Sequence, residues 1–199
     1  MRLVAVAKAR MRLEVASEAI RALEVAEGHE VFGKAWMTFL LAANGVHSSL
    51  EQGAKSNPQS RQWFGQKKNE RRRDPLLQYL HQARNADEHG LEPIIEHVGG
   101  RVKIGDGIHG GGVRRVSFDS QGYATVVKDP TYPNTHIEVV QPHPILSTVY
   151  DARYGNRYAP PREHLNQPLR DLSPIGLAVL SVEYISGLIQ EAEKLPPDP

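Results

Sequence analysis

Cysteine is absent from the 199-residue chain. That excludes disulfides, thiolate metal sites and a cysteine nucleophile, and it fits a reducing compartment. A long apolar run is also missing. The apolar stretch Leu3 to Ala7 ends at Lys8, short of a secretory signal. No segment reads as the ~20 apolar residues of a membrane span. The expectation is a cytoplasmic protein that makes no use of a membrane. Neither sign of charge is in marked excess, with 24 Lys and Arg against 23 Asp and Glu. The formal net charge is +1, so attraction to nucleic acid has to come from a local patch. There is no H-E-x-x-H and no cysteine-assisted spacing among the nine histidines, so scattered surface histidines are expected, with no metal and no cofactor. The run from Gly105 to Gly110 matches G-x-G-x-x-G. The strand-like VRRVSF follows it where a dinucleotide site needs a helix, so it reads as a hairpin loop. His109-Gly110-Gly111-Gly112 lacks the G-x-S-x-G partner of a lipase oxyanion loop.

What is present suits one domain, or one domain with an insertion. Hydrophobic residues make up 40% of the chain and charged residues 24%, enough for a sizeable core. Residues 9–26 carry Leu13, Ala16, Ile20 and Leu23 at helical spacing, with Gly28 as a stop. Residues 30–52 repeat the pattern with Phe32, Trp36, Phe39, Ala43, Val46 and Leu50, a stripe that reads as core. Gly45 inside it points to close packing or a bend. Residues 53–60 read as loop. Asp74 and Pro75 read as the N-cap and first position of a helix with an apolar face of Leu76, Leu77, Leu80 and Ala83, closed by Gly90. From Gly99 to about Gln141 the texture is β, with the runs RVKI, VRRVSF, YATVVK and HIEVVQ separated by turns at Asp106-Gly107 and Gln121-Gly122. Five prolines break up residues 142–171. Ser173 and Pro174 open a last helix along Leu177, Leu180, Tyr184, Leu188 and Ala192. The predicted fold is α+β: a mainly helical bundle (1–97 and 172–199), with three helices before and one after a small antiparallel β insertion with an irregular extension (98–171).

The chemically pointed run is Arg84-Asn85-Ala86-Asp87-Glu88-His89. At about 100° per residue, Asn85 and His89 share a helix face and Arg84 reaches round to it. A guanidinium, an amide and an imidazole are parts for RNA cleavage. The imidazole moves a proton near neutral pH, the guanidinium stabilises charge on a phosphate, and the amide fixes the tautomer of the imidazole. No metal is needed. The plainer reading is also open. Arg84 can pair with Glu88 at four-residue spacing, and His89 can simply favour the negative end of the helix dipole.

An arginine, a polar residue and, after four intervening positions from the arginine, a histidine is the signature of the HEPN superfamily (higher eukaryotes and prokaryotes nucleotide-binding). This chain resembles it at Arg84, Asn85 and His89. The wider text YLHQARNADEHG, with YAPPREHLNQP later, is similar to a group of bacterial proteins bearing that signature. The resemblance covers roughly residues 10–95 and 172–195. It implies a HEPN-like bundle and a homodimeric, metal-independent endoribonuclease that leaves 2′,3′-cyclic phosphate ends. Arg84 would stabilise the phosphorane, His89 would transfer protons and Asn85 would orient. It also implies a toxin or defence effector with RNA as substrate and an antitoxin protein as a further partner. Members that have lost activity imply the alternative, a non-catalytic RNA- or protein-binding module.

A second feature is basic. Arg61, Lys67, Lys68, Arg71, Arg72 and Arg73 surround Glu70, with Trp63 and Phe64 in the run. Cations with aromatics suit a phosphate backbone and stacked bases, so Lys67, Lys68, Arg71, Arg72 and Arg73 are candidate RNA contacts. A solvated helix start with two buried aromatics is the other reading. Arg153, Arg157, Arg162 and His164 could line a groove or decorate a loop.

Overall fold

The computed structural model describes residues 1–89, 93–105, 112–132, 134–151 and 154–197, and of residues 87–89 the backbone alone. The helices are α1 (Leu3–Glu24), α2 (His29–Ala54), α3 (Pro58–Arg73), α4 (Pro75–His89) and α5 (Pro174–Glu193), and short antiparallel strand pairs lie between α4 and α5. The fold is α+β. Gly90 and the turn and loop read at residues 106–111 lie outside the described residues.

The apolar stripes become core. Phe32, Trp36, Phe39, Ala43, Val46 and Leu50 of α2 are all buried, as are Leu76, Leu77, Leu80 and Ala83 of α4. The first two helices run antiparallel. Gly53 lies against Ala5 and Gly45 against Arg12. A Cβ on Gly53 would run into the Ala5 Cβ, so only glycine allows that approach. Gly45 gives close packing of the same kind, because the Arg12 stem lies over it. Gly28 is the N-cap of α2, with φ of 83°, and not the stop of α1.

Two further expectations, both about the helices, need correction. Four helices precede the β segment, not three. The extra one, α3, starts inside the stretch read as loop. Asn57 accepts hydrogen bonds from the backbone N–H groups of Gln59 (2.8 Å) and Ser60 (3.4 Å), and Pro58 fills the first position. An asparagine cap and a proline at N1 start a helix even in a polar sequence. The second concerns α5, which is long and apolar enough, by length and composition, to cross a membrane. Its Leu177, Ala178, Ile185, Leu188 and Ile189 belong to the buried core. Ser173 caps it, accepting from the Gly176 N–H at 3.0 Å.

The chain divides into two compact units, residues 1–95 with 146–199, and residues 96–145. Residues 146–171, read from composition as part of the insertion, run along the helical unit. The Tyr79 hydroxyl donates to the Ser147 carbonyl at 2.7 Å, and the Leu165 N–H donates to Asp74 at 2.6 Å. The prolines were expected to break up every regular element there, yet short strand pairs form, and polar anchors to α4 hold the segment. In it, β7 (Val149–Tyr150) pairs with β8 (Arg157–Tyr158), and β9 (Glu163–His164) pairs with β10 (Gln167–Pro168). Leu165 and Asn166 join the last two strands with φ of 48° and 61°.

In the second unit, β2 (Arg101–Ile104) pairs with β5 (Ile137–Val140), and β3 (Val113–Phe118) pairs with β4 (Ala124–Lys128). β1 (Ile95–Val98) pairs with β6 (His143–Leu146), strands whose buried ends, Ile95 and Leu146, belong to the helical unit. These are two-stranded ladders, where one small sheet was expected. Ala124 is the one buried apolar side chain of this unit among the described residues, so there is little core to draw the ladders into one sheet.

Candidate functional site at the end of helix α4

Asp74 sets the start of α4, accepting from the Leu77 N–H at 2.9 Å. The apolar face of the helix then locks into the core, which fixes where its last turns point. Arg84 and Asn85 are half-buried. The Arg84 Nη1 donates to the Asn85 Oδ1 at 3.3 Å. The amide oxygen therefore addresses the guanidinium, whereas the sequence suggested that the asparagine would orient the imidazole. The backbone stays helical through His89, one turn beyond Asn85. The His89 side chain, and with it the Arg84–Glu88 pairing, lies outside what the structure describes.

One turn before Asn85 on the same helix is His81. It lines a cavity of about 20 Å³ with Asn44 and His47 of α2, Arg71 of α3 and Ser181 of α5. His47 is 8% exposed. Burial, then Arg71 and His81, pushes its pKa down to about 3. Burial also leads for His81, followed by Arg71, Arg84 and Lys68, and brings it down to about 4. Both rings are neutral at physiological pH. Burial lowers Arg71 as well, against the pull of Glu51 and Tyr184. Sequence reasoning expected surface histidines and missed this seam. The available signal was spacing, since His81 precedes Asn85 by one turn and His47 follows Ala43 of the α2 stripe by one turn.

The basic run does not form one patch. At about 100° per residue it wraps around α3. Lys67 is 17% exposed and pairs with Glu191 at 2.9 Å. Lys68 pairs with Glu51 at 2.9 Å. Arg71 faces the cavity, and Arg72 and Arg73 are exposed. Phe64 is buried, and the half-buried Trp63 donates its indole N–H to Glu191 at 2.9 Å. Of the five candidate RNA contacts, Arg72 and Arg73 are exposed, and Lys68 keeps 40% of its side chain in solvent beside Glu51.

The late segment adds a second polar cluster. The Nδ1 of His164 lies 3.0 Å from the Asp74 Oδ1, with the His side chain 11% and the Asp 4% exposed. The His164 ring meets Tyr184 edge-on at 5.5 Å, and the Tyr184 hydroxyl donates to Glu70 at 2.6 Å. His164 is thus a structural partner of α4 and does not face a groove. Arg157 stacks on Tyr150 at 5.2 Å. Arg162 is exposed, and Arg153 lies outside the described residues. Among the described residues, no group of three or more His, Asp or Glu side chains comes together as a metal ligand set.

Comparison with protein-family models, with curated proteins and with solved structures finds no match for this chain.

Proposed function

We propose that this protein is a metal-independent endoribonuclease of the HEPN type, with a HEPN-like bundle, acting as a cytoplasmic homodimer. The observation that carries the reading is the Arg84–Asn85 contact on the last turns of α4, with His89 one turn further along the same helix. The amide holds the guanidinium fork in a fixed direction, which is what recognition of a phosphate needs.

In the reaction, the ribose 2′-OH attacks the adjacent phosphorus. One His89 imidazole takes the 2′-OH proton. The P–O5′ bond breaks, and the His89 of the second copy delivers a proton to the leaving O5′. Arg84 from each copy stabilises the charge that builds on the phosphorane. The products are a 2′,3′-cyclic phosphate end and a 5′-OH end. Arg72 and Arg73, exposed just before α4, contact the RNA backbone. An activity of this kind suits a toxin or defence effector held in check by a partner protein.

The half-burial of Arg84 and Asn85 favours a second reading, a non-catalytic module that uses the same bundle to bind RNA or protein. Incubation of a labelled RNA pool with wild type and with His89→Ala, in the presence of EDTA, separates the two. Cleavage with cyclic phosphate ends, lost in the variant, supports the nuclease. Equal background in both overturns it in favour of the binding module.

A further inference from the structure

The Arg71 guanidinium is half-buried among the helices. Among the described residues it makes no ion pair and no hydrogen bond. A cation withdrawn from water needs a compensating anion. Glu51, the carboxylate that pulls on Arg71, is already engaged, and so is the adjacent Glu70. Glu51 is held by Lys68 at 2.9 Å, and Glu70 takes the Tyr184 hydroxyl at 2.6 Å. The cavity that Arg71 lines contains no carboxylate at all among the described residues. It contains two imidazoles, an amide and the buried hydroxyl of Ser181. His81 has its Nδ1 buried with no hydrogen-bond partner, and His47 is more than nine-tenths buried and makes no hydrogen bond.

We infer that this seam is an anion site in which Arg71, His47 and His81 together take one phosphate group. Every polar group lining it can donate a hydrogen bond, since each imidazole offers an N–H and Asn44 and Ser181 add neutral donors. The cavity, about 20 Å³, is of a size for one oxygen atom. A phosphate therefore enters end-on, with one oxygen among the imidazoles and the others at the half-exposed Arg71. Leu40, Leu77 and Leu80 form the apolar walls around these donors. The two rings, now held neutral by burial and by Arg71, gain affinity for protons once the anion arrives, so phosphate binding and proton uptake are coupled. The phosphate can be free, or it can be the terminal group of a nucleotide or of an RNA end. The site uses none of Arg84, Asn85 or His89 and stands whether or not the chain cleaves RNA.

The test is titration of the intact protein with inorganic phosphate, read by the ring-proton NMR signals of His47 and His81 and by thermal shift. Potassium chloride of matched ionic strength is the control. Saturable movement of both histidine signals, with an upward shift in melting temperature that chloride does not give, is the expected result. Arg71→Gln loses the response at least ten-fold in affinity, and His89→Ala keeps it. Adenosine 5′-monophosphate and a 5′-phosphorylated oligoribonucleotide then rank the sources. Tighter binding of either names the natural ligand class, and binding of phosphate alone names the free ion. Unmoved histidine signals in the wild type overturn the proposal without recourse to any variant, as does an equal response to chloride.

Discussion

His164 and Asp74 meet at 3.0 Å although they are 90 residues apart in the chain. One carboxylate thereby caps α4 and holds the late segment on it, because its other oxygen accepts from the Leu165 N–H. Asp74→Ala removes the cap and leaves a buried N–H unmet, a loss of about 2–4 kcal/mol. His164→Ala keeps both backbone bonds, so about half that loss is expected. Urea unfolding of both variants checks the ratio.

The same carboxyl bears on acid stability. Burial raises its pKa, but His164 and the N–H groups of Leu165 and Leu77 outweigh it and hold the pKa below the ordinary 3.8. A depressed acid stabilises the fold above the unfolded value, and that stability is lost as pH falls through the folded value. The Asp74 contribution is therefore intact at pH 5, begins to be lost below about pH 3.8 and goes as pH falls through the lower folded value. Acid titration of the wild type beside Asp74→Asn, followed by circular dichroism, measures the difference.

The buried histidines act in a higher window. An unfolded chain protonates its imidazoles as pH falls below 6.5, whereas the folded chain holds His47 and His81 neutral down to about 3 and about 4. The unfolded state binds more protons in between, so stability falls as pH drops from 6.5 towards 4. In phosphate-free buffer, the melting temperature of His81→Gln is expected to decline less steeply across that range than that of the wild type. Parallel curves would show that His81 already titrates normally.

Two helix glycines are expected to answer oppositely to alanine. Gly53→Ala drives a methyl against Ala5 and destabilises by about 1–3 kcal/mol. In α3, a Cβ at Gly65 would meet nothing within 4 Å, so Gly65→Ala stabilises by up to about 1 kcal/mol. Adding Ala5→Gly to Gly53→Ala recovers much of the loss, a coupling that a double-mutant cycle measures.

The turn at Leu165 and Asn166 places two non-glycine residues at positive φ. Leucine carries a steric penalty there that glycine avoids. Leu165→Gly is expected to stabilise by about 0.5–1 kcal/mol, read by thermal unfolding. A loss instead would show that the leucine side chain makes a contact that outweighs the strain.

Local signals carried much of the fold. The α2 stripe from Phe32 to Leu50, the Asp74-Pro75 start and the Ser173 cap all follow from spacing and capping chemistry, and each is found where the pattern puts it. The rest depends on contacts that no local pattern carries. α3 is polar, and its start rests on one asparagine side chain. Asp74 reads as a cap, but its bond to His164 requires the late segment to fold back. The α4 signature places Arg84 and Asn85 on adjacent positions, yet the direction of their hydrogen bond needs rotamers. The polar seam was harder still, because His47 sits within an apolar stripe and Arg71 within a basic run, and only the crossing of α2, α3 and α4 brings them together.

The Ser147 N–H meets the Ile94 carbonyl at 2.9 Å. The chain thus leaves the helical unit and re-enters it at neighbouring points, joined by a hydrogen bond that belongs to the helical unit itself. A junction of that kind is a port. The 50 residues from Glu96 to Ile145 can be exchanged for a short turn, or for a guest domain with adjacent termini, while the helices keep their connection. A segment mounted this way supplies a place to attach a reporter without touching α4.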